Sequence, residues 1–215
     1  MFPQVLTLPV ALCLGSVALL LVFERQGIKR AEWLLKPLAA LACIWAGLAS
    51  GALESDYGVW ILVGLVLCMA GDVLLIPPGQ GPAFLGGMLA FLLGHLAYAV
   101  GFWQWPLDAG RLLGAIVAMA IVAFVVLRWL WPYLDKAFRV AVVAYVVVIS
   151  LMVCIAFAIS EVNWLIPAGA LAFAVSDLAV ARNRFVAPGF GNRLWGLPLY
   201  FISQLMIAAT VTVAH

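Results

Sequence analysis

Eight apolar stretches follow one another along the chain, at roughly 5–23, 34–50, 58–76, 83–103, 110–131, 138–159, 163–181 and 194–214, with short polar connections between them. Most reach the roughly 20 residues with which a helix rising 1.5 Å per residue crosses about 30 Å of hydrocarbon. The second is the shortest. The pattern predicts an all-α integral membrane protein, a bundle of eight transmembrane helices that forms a single helical domain over residues 1–215. Connections such as Pro77-Pro78-Gly79-Gln80-Gly81-Pro82 and Pro188-Gly189-Phe190-Gly191 are short and rich in Pro and Gly. Consecutive helices are therefore expected to be antiparallel neighbours. Gly47 with Gly51 and Gly110 with Gly114, each four apart, are candidate points of close backbone approach.

Composition strengthens this reading. Apolar residues make up 67% of the 215 positions and charged residues 9%, which excludes an ordinary soluble domain. The distribution of Lys and Arg adds an orientation, because short cytoplasmic connections retain them. Arg25, Lys29, Arg30 and Lys36 flank the first connection, Arg128, Lys136 and Arg139 the fifth, and Arg182, Arg184 and Arg193 the seventh, leaving Arg111 alone on the other side. Both termini are thus expected outside. Eight Trp residues (Trp33, Trp60, Trp103, Trp105, Trp129, Trp131, Trp164 and Trp195) fall near predicted helix ends, where indole prefers the interface. No basic segment precedes the first stretch, so it reads as a retained helix rather than a cleaved signal. The net charge of +2 gives no sign of a nucleic-acid partner. Cys13, Cys43, Cys68 and Cys154 stand singly in apolar runs without CxxC spacing and read as small core residues.

Against this background two residues need explaining. Asp72 and Asp177 each follow a small residue near the end of an apolar stretch, and an ionised carboxylate in hydrocarbon costs at least about 2.5 kcal/mol on insertion scales. Spanning a membrane requires neither. Both stretches run from outside to inside, so the two carboxylates should share a depth in the cytoplasmic half. A shift of 105 positions lays Asp72 on Asp177 and His95 on Tyr200, which suggests two parallel four-helix repeats. His95 with Tyr98 and Tyr200 with Gln204 lie three and four apart, each pair on one helix face. Lys36 opens the second stretch, and Asn183 with Arg182 and Arg184 follows Asp177 where its helix leaves the membrane. All can approach one polar cavity.

Structural alternatives stand beside this. The aspartates suit helix caps or ion pairs with Lys36 and an Arg, His95 suits an interhelical hydrogen bond, Tyr98 and Tyr200 suit the interface, and the arginines suit topology. Other chemistries lack their residues. His95 and His215 are the only histidines, too few for a three-His zinc site, and no GxSxG, P-loop or dinucleotide fingerprint occurs. What remains is chemistry that two carboxyl groups perform with His, Tyr and Gln, or proton-coupled transport or flipping of a small amphiphile or lipid.

At Gly71-Asp72-Val73-Leu74-Leu75, Phe84, Gly86 to His95, Tyr98, Ser176-Asp177-Leu178, Tyr200 and Gln204, with Lys36-Pro37 upstream, the chain resembles the YhhN family, whose characterised animal members are lysoplasmalogenases. The resemblance covers nearly the whole length. It implies hydrolysis of the vinyl ether of a lysoplasmalogen to a fatty aldehyde and glycerophosphocholine or glycerophosphoethanolamine. An enol ether yields to acid, which protonates its β-carbon to give an oxocarbenium ion that water captures. Glycosidases handle a similar cation with two carboxyl groups. On this reading Asp72 and Asp177 form the catalytic pair, with either as the acid. His95 and Tyr200 assist them, and Lys36, Tyr98, Asn183, Arg184 and Gln204 bind a lysophospholipid within the bilayer. No cofactor or metal is expected, and a bacterial inner membrane with the site toward the cytoplasmic half is the expected location.

Overall fold

The structure, a computed structural model, describes residues 4–161 and 163–213; His215 and the last residue of the eighth predicted stretch lie outside the described residues. Eight helices are found: α1 (Thr7–Arg25), α2 (Glu32–Ala49), α3 (Asp56–Leu74), α4 (Pro82–Phe102), α5 (Ala109–Leu130), α6 (Lys136–Ala158), α7 (Leu165–Ala181) and α8 (Phe190–Ala209). Each is long and apolar enough to cross a membrane, four of them taken with their adjoining turns. Local chemistry sets their starts. The Ser55 hydroxyl accepts from the Gly58 amide and the Asp108 carboxylate from the Arg111 amide, while Pro82 occupies the first turn of α4, where its missing N–H costs nothing.

Two boundaries depart from the expected ones in ways that matter for the site. α2 begins at Glu32 after a 3₁₀ turn at Lys29–Ala31, which draws Lys36 inside the bundle rather than leaving it at the mouth. α7 continues past Ala181 as a π-helical turn, Arg182–Val186. Such turns are rare and concentrate at functional positions.

The connections α1–α2, α3–α4, α5–α6 and α7–α8 gather at one end. There the Gln80 amide donates to the Arg184 carbonyl, and Arg193 pairs with Glu24 and Glu32. Gly79, at φ +89°, turns the α3–α4 connection so that its carbonyl accepts from Arg184. At the opposite end the Tyr57 and Thr210 hydroxyls lie 2.5 Å apart, and the Asp108 amide donates to the Ala158 carbonyl. Every Lys and Arg except Arg111 lies at or near the first end, hereafter the basic end.

Helices α3, α4, α6, α7 and α8 close a ring, with α1 and α2 packed on its α3–α8 side. The expectation that consecutive helices are neighbours fails once, between α4 and α5. α4 packs on α6 instead, and α5 leans on α6 from outside, with Leu130 its only buried residue. The cause is the Trp103–Asp108 connection, which is hydrogen-bonded through Pro106 and Asp108 to the end of α6. Tight glycine contacts also occur away from the pairs suggested by spacing, the closest at Gly64, where a Cβ would come within 2.3 Å of the Tyr98 ring. A Cβ on Gly71 would come within 2.7 Å of the Phe91 ring, and one on Gly94 within 2.8 Å of Cys68 Sγ, whereas Gly114 faces open space and Gly51 lies in a turn. A Cβ on Gly47 would lie 3.1 Å from Leu65 Cδ1. All four cysteines are free and buried, with the Cys13 and Cys43 sulfurs 3.5 Å apart between α1 and α2.

Candidate active site

Asp72 lies in the last turn of α3 and is 1% exposed. Two groups meet it. The Lys36 ammonium is 3.2 Å from Oδ1 and also donates to the Asp72 carbonyl at 3.0 Å. The Tyr200 hydroxyl donates to Oδ2 at 2.7 Å. Lys36 is itself buried at 6% exposure, so the carboxylate and ammonium satisfy one another away from solvent. Either alone would be costly at that depth.

Asp177 differs. One turn before the end of α7, it accepts from the Tyr145 hydroxyl at 2.7 Å, and its Oδ2 lies 3.6 Å from His95 Nε2. Among the described residues no Lys or Arg is within ion-pair distance of it. His95 is fully buried, tilted against Phe173 at 4.4 Å between ring centroids and edge-on to Tyr145 at 5.3 Å, and neither of its nitrogens has a hydrogen-bond partner among the described residues. Phe173 also meets the rings of Phe91, Tyr98 and Tyr200. Pairs of this kind each contribute about 0.5–1.5 kcal/mol beyond area burial, and together they fix the positions of Tyr200 and His95. The pairing is reciprocal: Asp72 of α3 reaches Tyr200 of α8, and Asp177 of α7 faces His95 of α4.

Both carboxylates line one polar pocket of about 80 Å³ that opens toward the basic end, with Lys36, Tyr200, Asn183 and Arg184 in its wall. A second cavity, of about 170 Å³, is almost wholly apolar. It runs between α4, α5, α6 and α7, past Met88, Met119, Val146 and Leu171. The two cavities meet, since Leu75, Phe91, Asp177 and Val180 line both. Asp177 thus touches both environments and Asp72 only the polar one.

The remaining candidates from the sequence separate into two groups. Tyr98 donates to Gln204 at 2.5 Å within the core, and neither lines the polar pocket. Asn183 accepts from the Gly189 amide and from Asn192, which also takes the Arg182 guanidinium. Arg184 donates to the carbonyls of Leu75, Pro77 and Gly79, tying the α3–α4 connection to the π-helical turn. Tyr145 was not singled out from the sequence. The signal was there, because it is the one polar side chain in the run Val140–Ile149, about 13 Å into α6 and too deep for an interfacial tyrosine. Among the described residues no three His, Cys, Asp or Glu side chains converge as metal ligands would.

The family profile of YhhN matches residues 31–211, a segment that holds every residue of the two Asp clusters. The chain belongs to the YhhN family. It is 32% identical over 157 residues to a Mycobacterium tuberculosis protein named lysoplasmalogenase, an alignment covering 70% of this chain and 59% of that relative. It is likewise 32% identical over 178 residues to human lysoplasmalogenase TMEM86A, covering 77% of this chain and 72% of the relative, and 35% identical over 149 residues to human lysoplasmalogenase TMEM86B, covering 68% and 61%. The chain thus spans about 59% of the length of the mycobacterial relatives it matches. No solved structure gives a significant match. Membership in the YhhN family therefore rests on sequence.

Proposed function

We propose that this protein hydrolyses the vinyl ether bond of a lysoplasmalogen, releasing a fatty aldehyde and the glycerophospho headgroup, with Asp177 as the general acid and Asp72 as the carboxylate. One observation carries the assignment: Asp177 sits where the apolar cavity meets the polar pocket. A single-chain lipid with its hydrocarbon in the first and its glycerol in the second has its enol ether at that junction.

The division of labour follows from the partners of each group. Asp72, held against an ammonium and a hydroxyl donor, is kept as an anion. It faces the polar side, where positive charge develops on the ether oxygen and its α-carbon and where water arrives. Asp177 has no cation beside it and borders hydrocarbon, conditions that favour the neutral acid. It faces the β-carbon, on the chain side. Protonation there turns the enol ether into an oxocarbenium ion. Water adds to the α-carbon with Asp72 or Asp177 taking its proton, and the hemiacetal collapses to aldehyde and free alcohol. The chemistry is that of a glycosidase carboxyl pair applied to a carbon proton acceptor.

Two further readings accompany this. The positive-inside rule places the basic end, and the mouth of the polar pocket, on the cytoplasmic side. The reciprocal pairing of Asp72 with Tyr200 and of Asp177 with His95 is what two parallel four-helix repeats would produce.

Purified protein in detergent is expected to release fatty aldehyde from 1-alkenyl lysolipid and nothing from the 1-alkyl or 1-acyl analogues. Aldehyde from none of the three, with the protein folded, contradicts the proposal. Tyr145→Phe is expected to lower kcat by about 2- to 10-fold while leaving KM and unfolding temperature near wild type, because it removes one hydrogen bond of about 0.5–1.5 kcal/mol, made to a neutral acid, that orients Asp177. Kinetics on detergent-solubilised variant and wild type check this.

A further inference from the structure

The apolar cavity beside Asp177 does not end at Leu171. A larger chamber, of about 740 Å³, opens beyond it between α5, α6 and α7, toward the end opposite the basic one. Met119, Val122 and Leu171 line both spaces, so these three side chains form a neck between them. The chamber owes its width to what α5 presents there. Gly114, Ala115 and Ala118 face it, and a Cβ on Gly114 would meet nothing within 4 Å. Because α5 packs closely on α6 but not on α7, a wedge remains that such small side chains do not fill. At the outer rim the lining turns polar: Arg111 donates to the Ile159 carbonyl at 2.9 Å, and Glu161, Asn163 and Trp164 stand beside it.

Distances along α7 decide what reaches the chamber. Leu171 lies six residues before Asp177, about 9 Å along the helix axis, and Pro167 lies ten before it, about 15 Å. One leaflet of hydrocarbon, half of the roughly 30 Å core, is about 15 Å deep, and that is the depth a membrane lipid chain fills. A chain of that length with its vinyl ether at Asp177 therefore passes the neck and ends beside Pro167, inside the chamber. One of about 6 carbons stops short of the neck.

We propose that the outer chamber is the subsite for the methyl end of the alkenyl chain, entered through the neck of Met119, Val122 and Leu171, so that chain length is read far from the two aspartates. The proposal rests on the hydrolase reading and deepens it by naming the residues that set which chains are accepted. Hydrophobic transfer does not make this choice, because a chain leaving a bilayer or a micelle is already out of water. Fit does. A long chain shut out of the chamber has to fold back within the inner cavity of about 170 Å³, and overpacking of that kind is resisted.

The test compares two 1-alkenyl lysolipids with the same headgroup and chains of about 6 and 16 carbons. Partition of each lipid into detergent is the same for every variant and cancels in the comparison. Gly114→Phe, which puts a ring where a Cβ finds open space, is expected to lower the ratio of long-chain to short-chain kcat/KM by at least tenfold, chiefly through the long-chain KM. Met119→Trp, which narrows the neck, is expected to do the same. Leu113→Phe adds a ring at the same depth on the opposite face of α5, where Leu113 is 65% exposed, and is expected to keep the wild-type ratio. Should Gly114→Phe fold poorly, Gly114→Leu carries the same expectation at smaller amplitude. A 1-alkyl analogue with a diazirine at its methyl end, photolysed on the wild-type protein, is expected to label segments 114–119 and 167–171. An unchanged ratio in a folded Gly114→Phe variant, or label confined to other segments, overturns the chain-end subsite. Label in those two segments without turnover of either lipid would instead count against the hydrolase reading.

Discussion

Asn in place of Asp177 is expected to abolish aldehyde release, by about 100- to 10,000-fold, the range typical of a lost general acid, while the protein stays folded and binds lysolipid as before. The amide still accepts from Tyr145 and leaves no charge stranded, so the change is confined to the proton. Glu at the same position should retain measurable turnover, because it keeps a carboxylic acid beside the apolar cavity. Asp72→Asn is expected to differ in kind. It too should lose turnover, but it also strands the buried Lys36 ammonium and should lower the unfolding temperature. Aldehyde release assayed beside tryptophan-detected thermal unfolding separates the two. A folded Asp177→Asn variant with wild-type turnover would remove Asp177 from the mechanism.

Lys36→Met tests the other half of the pair. Removing the ammonium leaves the Asp72 carboxylate buried and uncompensated, and breaking such a pair from one side costs about 3–5 kcal/mol. The variant should unfold well below wild type and turn over slowly. Adding Asp72→Asn removes the stranded charge, so the double variant Lys36→Met, Asp72→Asn should regain most of the stability and none of the activity. That opposite movement of two readouts is the signature of a structural ion pair whose carboxylate is also catalytic. A Lys36→Met variant as stable as wild type would mean that Asp72 is not held as an anion by Lys36.

Much of this was legible in the sequence, for a physical reason. A carboxylate in an apolar run is costly, so Asp72 and Asp177 announce themselves, and hydrophobic length alone locates eight helices to within a few residues. Their partners are harder to read. In a bilayer a helix is apolar on every face, so nothing in α5 tells that it lies outside the ring, nor in α6 that Tyr145 turns toward Asp177. Lys36 was expected at the mouth and lies inside, because the 3₁₀ turn before α2 draws the helix start forward to Glu32. Arg193 reads as a topology signal, and its two carboxylate partners come from helices more than 150 positions away in sequence.

On this mechanism carbon is protonated from Asp177 and water attacks the resulting cation. Isotopic labelling tests it most directly. Turnover of 1-alkenyl lysolipid in deuterated water, with immediate reduction of the aldehyde to its alcohol, should place one deuterium on the carbon next to the former carbonyl. Turnover in ¹⁸O-labelled water should place the label in the aldehyde and none in the glycerol product, provided trapping outruns carbonyl exchange. Aldehyde without carbon-bound deuterium, or ¹⁸O in the glycerol hydroxyl, would contradict the account.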